Sequence, residues 1–225
     1  MVTSNAIQRT IHIRFAGQIA TAFFIDVEGR QYLVTAKHVV PNAHGTVPIA
    51  IFQDNDWREI AVSLVGHAPG EADISVLALP YRIAGIDLRL PPDAAGLTVG
   101  QDAFFLGFPF GLFGSMGTAN NHYPLPFVKR ATISCFEHNQ YGLHRIFLDG
   151  NNNRGFSGGP VVFCPPGTKE FRVAGVISGY RYEDQPVFRG TESLPLSTRH
   201  NTGIIISYGI GYATSLARAN PIGPQ

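Results

Sequence analysis

Cysteine is scarce: Cys135 and Cys164 are the only two in 225 residues, enough for one disulfide and too few for a disulfide framework. Each falls in an apolar, strand-like segment, which predicts buried thiols rather than a bridge. No C-x-x-C or H-x-x-x-H spacing occurs and the eight histidines are scattered, so neither a metal site nor a cofactor is expected. Excess charge of one sign is also missing. The 17 Lys and Arg against 16 Asp and Glu leave a formal net charge of +1. Such a chain has no global field to draw in nucleic acid or an anionic membrane. No run of about 18 apolar residues exists to span a bilayer. The opening "MVTSNAIQRTIHIRF" lacks the apolar core of a secretory leader, which gives a cytoplasmic expectation.

What is abundant is punctuation: 25 glycines and 16 prolines, with 16 phenylalanines between them. Runs such as "IHIRF", "TAFFIDV", "QYLVTA", "VPIAIF", "EIAVSLVGH" and "DISVLALP" alternate with turn signals in the first part. "DAFFLGFP", "KRATISCF", "HRIFLDG", "PVVFC", "FRVAGVISGY" and "TGIIISYGIGYA" follow in the second. Each part offers about six short strands, the signature of an all-β sandwich or barrel pair. The proline- and glycine-rich segment 87–100 joins the two parts, and only "YATSLARAN" reads as a short helix.

The stretch "NNNRGFSGGPVV" (151–162) sets Ser157 between Phe156 and two glycines, just ahead of an apolar run. A serine hydroxyl is a poor nucleophile unless a base takes its proton, and a histidine base needs an acceptor to fix its tautomer. His38 ends the apolar run of "YLVTAKHVV", at a strand-to-loop corner. Asp73 opens the apolar run of "ADISVLAL", where a partly desolvated carboxylate needs a hydrogen-bond partner. Taken singly these are a rim histidine, a strand-entry aspartate and a turn serine. Together, in the order His, Asp, Ser, they match one of the chain orders of a catalytic triad.

The words T-A-K-H-V-V, A-D-I-S-V-L and G-F-S-G-G-P-V resemble those of the trypsin-like serine peptidases, most of all the HtrA/Deg type. The resemblance runs from "TAFFIDVEGRQYLVTAKHVV" to "GIGYATS", with no PDZ-type segment after it. It implies an all-β fold of two six-stranded Greek-key barrels with the active site in the cleft between them. Residues 1–90 would form the barrel carrying His38 and Asp73, and residues 91–225 the barrel carrying Ser157. It further implies that Ser157 is the nucleophile, His38 the general base and acid, and Asp73 its orienting group. The N–H groups of Gly155 and Ser157 would form the oxyanion hole.

"FFLGFPFG" resembles the glycine-and-proline loop that follows the first strand of the second barrel. Phe156 departs from zymogen-type members, which carry an aspartate before the serine to bind a new N-terminal ammonium. Local packing is therefore expected to hold this turn. By the same resemblance Ser178, Gly179 and Tyr180 offer backbone groups to an extended substrate. Asn151 would floor the specificity pocket, and Ile210 would form a wall with Tyr212 behind it. An uncharged pocket of that kind favours small or medium apolar residues. Residues 181–201, polar and poor in strand pattern, read as a long loop.

The partners implied are protein or peptide substrates, with oligomerisation left open. Two other classes compete. A peptide-binding protein that kept the fold and lost turnover needs a closed oxyanion turn. A serine esterase of the α/β-hydrolase type needs a G-x-S-x-G elbow and alternating helices, which this chain does not offer.

Overall fold

The structure is a computed structural model that describes residues 2–120, 122–140 and 142–225. After a short helix α1 (Ser4–Gln8), six strands follow: β1 (Thr10–Phe15), β2 (Gln18–Val27), β3 (Arg30–Thr35), β4 (Thr46–Gln53), β5 (Asp56–His67) and β6 (Ser75–Ala78). They close into an antiparallel barrel in the order β1-β2-β3-β6-β5-β4, with β4 returning to β1 through Ile13 opposite Ile51. The second part supplies β7 (Asp102–Gly107), β8 (Phe127–Asn139), β9 (Gly142–Asp149), β10 (Pro160–Phe163), β11 (Arg172–Arg189) and β12 (Glu192–Gly209). These close in the order β10-β11-β12-β9-β8-β7, with Val161 opposite Phe105 at the seam. Helix α2 (Gly211–Ala219) ends the fold. The all-β, two-barrel expectation is met.

Three hairpins of the first barrel turn in two residues, and both residues of Ala16-Gly17, Glu28-Gly29 and Asp54-Asn55 have positive φ. That backbone follows the right-handed twist of the flanking strands, which is why short glycine- or asparagine-bearing turns suffice.

Strands next to the other barrel bury both faces. On β2, Ala20, Ala22 and Phe24 fill the first barrel, while Phe23, Ile25 and Val27 enter a layer between the barrels. On β10 and β11, Val161, Phe163, Ala174 and Ile177 fill the second barrel, while Val162, Val173 and Val176 join that same layer. Near-continuous apolar runs in the sequence are the record of this two-sided burial.

Two expectations are corrected here. Residues 181–201 are not an irregular loop. They are the far arms of β11 and β12, a hairpin running from Tyr182 opposite Asn201 to Arg189 opposite Glu192. Almost every side chain on it is exposed, so no face needs to be apolar and the alternation that marks a half-buried strand never arises. Both thiols are free, but Cys135 is exposed and Cys164 half-buried. A register shift between Ile133 and Cys135 on β8 turns the Cys135 side chain outward.

Candidate active site

β3 ends at Thr35, and a single 3-10 turn, Lys37–Val39, carries His38 out of the first barrel. The loop ahead of β6 holds Asp73. Lys37 ties the two together by donating from Nζ to the carbonyls of Ala68 (3.2 Å) and Gly70 (2.9 Å). The Asp73 carboxylate then receives three hydrogen bonds. Oδ1 accepts from the His38 backbone N–H at 2.8 Å. Oδ2 accepts from His38 Nδ1 at 2.6 Å and from Ser178 Oγ at 2.6 Å. Burial pushes the pKa of Asp73 up, but the hydrogen bonds from His38 and Ser178 outweigh it and hold the carboxyl below its ordinary value. With the Nδ1 proton committed to Asp73, the lone pair of Nε2 is left on a half-exposed ring.

Ser157 faces His38 across one cleft of about 740 Å³ that both residues line, together with Gly155. Its Oγ donates to the Ser178 carbonyl at 3.1 Å rather than to His38. The turn that presents it is clamped from both barrels. Thr21 N–H donates to the Ser157 carbonyl (3.1 Å), and Gly158 N–H donates to Ile177 (2.8 Å). Phe156 is fully buried edge-on against Phe105, with ring centroids 4.8 Å apart, so the turn is held by packing.

The Arg154–Gly155 peptide decides what the turn can bind. The Arg154 carbonyl accepts from Phe110 N–H at 2.8 Å, which points the trans Gly155 N–H the opposite way. Among the described residues no protein acceptor takes the N–H of Gly155 or Ser157. Gly155 has φ +103, and a Cβ there would overlap the Phe108 carbonyl, so only glycine fits. Thr21 Oγ1 braces the turn by donating to the Gly155 carbonyl (2.7 Å) while accepting from Phe108 N–H (3.1 Å).

The proposed substrate side is less tidy. Ser178, Gly179 and Tyr180 are half-buried on β11. Asn151 is exposed, and its side-chain oxygen accepts from Asn201 at 3.2 Å. Asn152 is the buried neighbour, at 2% exposure, donating to the Gly179 carbonyl at 3.1 Å. Lys129 donates to the carbonyl of Asn151 and to Asn153 Oδ1.

Ile210 borders a cavity with Leu143, Gly211 and Thr214, whose lining includes neither Ser157 nor Asn151. Ile210 caps α2 at 2% exposure within the layer between the barrels, and Tyr212 lies inside α2 with its hydroxyl on His144 Nδ1 at 2.7 Å. β12 ends at Gly209, and Gly211, Tyr212 and Ala213 of the word "GIGYA" already belong to α2.

The hydroxyls of two residues at this site are not assigned a part by the sequence alone. Thr21 is a threonine inside an apolar strand, the one visible hint of a buried hydroxyl. Ser178 is expected to act through its backbone, and the structure adds its hydroxyl as the third donor to Asp73.

A family model of the trypsin-like peptidase domain matches residues 20–164, a span that contains His38, Asp73 and Ser157. The chain belongs to that family. Two structures of the HtrA-type protease AlgW with a tripeptide share its fold at 22% identity, with TM-scores of 0.60 and 0.57. They match 96% of this chain and 61% and 62% of their own. The protease Rv3671c of M. tuberculosis, in a structure described as an inactive form, matches 96% of this chain and 91% of its own at 16% identity, with a TM-score of 0.60. This trypsin-like domain thus spans about three-fifths of the AlgW chain.

Proposed function

We propose that this trypsin-like protease domain is a serine endopeptidase working through an acyl-enzyme, with Ser157 as nucleophile, His38 as base and Asp73 as its orienting carboxylate. One observation carries the reading. His38, held through its backbone and ring N–H by both oxygens of Asp73, stands at a cleft shared with Ser157 and two unclaimed backbone N–H groups. In the reaction Ser157 Oγ leaves the Ser178 carbonyl, gives its proton to His38 Nε2 and attacks the substrate carbonyl. The oxyanion that forms is met by the N–H groups of Gly155 and Ser157, an arrangement in which one donor is commonly worth about 10²–10³ in rate. His38 returns the proton to the departing amine, and water reverses the sequence to release the acid.

The residue before the cut is expected to be small or medium and apolar. Neither 151–153 nor 178–180 contains a carboxylate, and the Lys129 ammonium stands 3.1 Å from Asn153 Oδ1. A basic side chain entering there would lose hydration and meet a like charge.

A second reading, peptide binding without turnover, is favoured by the Ser157 hydroxyl resting on Ser178 instead of His38. A fluorophosphonate probe separates the two. Labelling of the wild type, lost in Ser157→Ala with the circular dichroism unchanged, supports the peptidase, and an unlabelled, folded wild type supports the binder. Cleavage of denatured casein mainly after Lys or Arg would overturn the apolar preference alone.

A further inference from the structure

The cleft at Ser157 does not lie along Ser178–Tyr180. It extends the other way, over the β1–β2 turn and toward Phe110, and it shares no lining residue with β11. A peptide bound along β11 with its carbonyl at Ser157 must continue into this space after the scissile bond. The cleft therefore belongs to the part of the substrate that leaves as the amine product.

Its walls are unusual in two respects. Ile19 is 46% exposed and Phe110 68% exposed, facing a space of about 740 Å³. The Phe110 backbone is held in the left-handed region at φ 55, with its N–H fixed on the Arg154 carbonyl, so the ring stands on an anchored loop. Charge is one-sided as well. Arg154 and His38 are the only ionisable side chains in the lining, and no carboxylate is among them. Among the described residues the Arg154 guanidinium has no ion-pair or hydrogen-bond partner. Most other arginines here are paired, as Arg145 is with Glu137 and Arg172 with Asp93. A cation left free at the mouth of a cleft, next to two exposed apolar side chains, is complementary to a segment that carries a carboxylate beside an apolar residue.

We propose that this protein selects substrates on the leaving side of the cut, taking an acidic residue against Arg154 and an apolar one against Ile19 and Phe110 within the first two positions after the scissile bond. The inference rests on the peptidase reading. Arg154 acts here as a specificity residue, since its backbone carbonyl, which serves the oxyanion turn, survives any substitution of the side chain.

The test uses quenched fluorescent peptides that are identical up to the cut. They carry Asp-Leu, Leu-Asp, Lys-Leu, Leu-Lys or Ala-Ala after it, and kcat/KM is compared within each enzyme. The wild type is expected to cleave the better acidic peptide about fivefold faster than its lysine counterpart, the range of an exposed ion pair plus the matching repulsion. That ratio should shrink in 0.5 M salt by screening. In Arg154→Glu the ratio should invert, and in Phe110→Ala the gain of Leu-containing peptides over Ala-Ala should fall. A wild type that is labelled by fluorophosphonate and cleaves all five peptides alike, or keeps its acidic preference in Arg154→Glu, overturns this inference and leaves the peptidase reading standing. A wild type that is neither labelled nor active overturns the peptidase reading and this inference with it.

Discussion

At the scale of the residue, the candidate groups were legible because each announces itself through local demands. A histidine after an apolar strand, an aspartate before one and a serine on a glycine turn are odd singly and coherent together. What stayed hidden were contributions that depend on who the neighbour is. Thr21 and Ser178 act through hydroxyls aimed at groups more than 80 and 100 positions away. Gly155 is the most exposed to test. In Gly155→Ala the new Cβ meets the Phe108 carbonyl and the residue has to keep φ near +103. The turn should shift, lowering kcat by about 10²–10³ while KM changes little, since the oxyanion contact forms only in the transition state. Steady-state kinetics on one good peptide reads this directly, and a KM effect with intact kcat would argue that the N–H is not a transition-state donor.

His12 gives a second residue-scale expectation. It is 2% exposed, stacked on Phe108 at 4.6 Å, and neither ring nitrogen has a partner. Burial lowers its pKa to about 4. Above the ordinary histidine pKa both folded and unfolded chains hold it neutral. Between there and about 4 only the unfolded chain takes the proton, so stability should fall as pH drops through this window. At 1.36 kcal/mol per pKa unit the loss amounts to roughly 3 kcal/mol. His12→Phe removes the proton site from an aromatic surround. Urea midpoints at pH 7.5 and 4.5 should therefore show a smaller acid-induced drop in the variant than in the wild type. Equal drops would mean that His12 titrates normally in the fold.

At the scale of the element, strands with one buried face were legible and the exposed ribbon was not. On β9 the burial alternates residue by residue through His144, Ile146 and Leu148, and a pattern of that kind can be read in advance. The arms of β11 and β12 beyond Tyr182 are held by backbone pairing and by cross-strand contacts such as Asp184 with Arg199, which in turn lies 3.9 Å from the Tyr182 ring. Exposed contacts of this sort are worth a few tenths to about 1 kcal/mol each. Replacing residues 186–197 by Asn-Gly, to link the paired Gln185 and Thr198, should then move Tm by no more than about 4 °C. A larger fall would show that the ribbon supports the barrel, in contrast to its exposure.

At the scale of the whole molecule, the question is whether two barrels make two units. Their packing argues for one. The largest buried layer draws Phe23, Val34 and Val76 from the first barrel and Leu106, Val162 and Val176 from the second, so neither barrel can keep its outer apolar face covered alone. Helix α2 follows the second barrel in sequence yet packs on the first. Leu216 sits against Gly66, where a Cβ would come within 2.9 Å of it, and Asn220 donates to the Val65 carbonyl at 3.1 Å. Across the same seam His144 of β9 bonds Glu71 at 3.1 Å, two positions before Asp73. Each large aliphatic side chain in such a layer contributes about 1.5–3 kcal/mol through burial, which is far more than any loop connection could offset. The barrels should therefore unfold in one step. Calorimetry is expected to give a single transition whose calorimetric and van't Hoff enthalpies agree. Ending the chain at Gly209 should abolish that transition and the activity together, because the first barrel loses Tyr212, Ala213 and Ala217 from its outer face and the His38–Asp73 pair loses its footing. Two resolved transitions in the intact protein, or a truncated chain that still melts cooperatively, would show that the barrels are separable and that the active-site geometry does not depend on the shared layer.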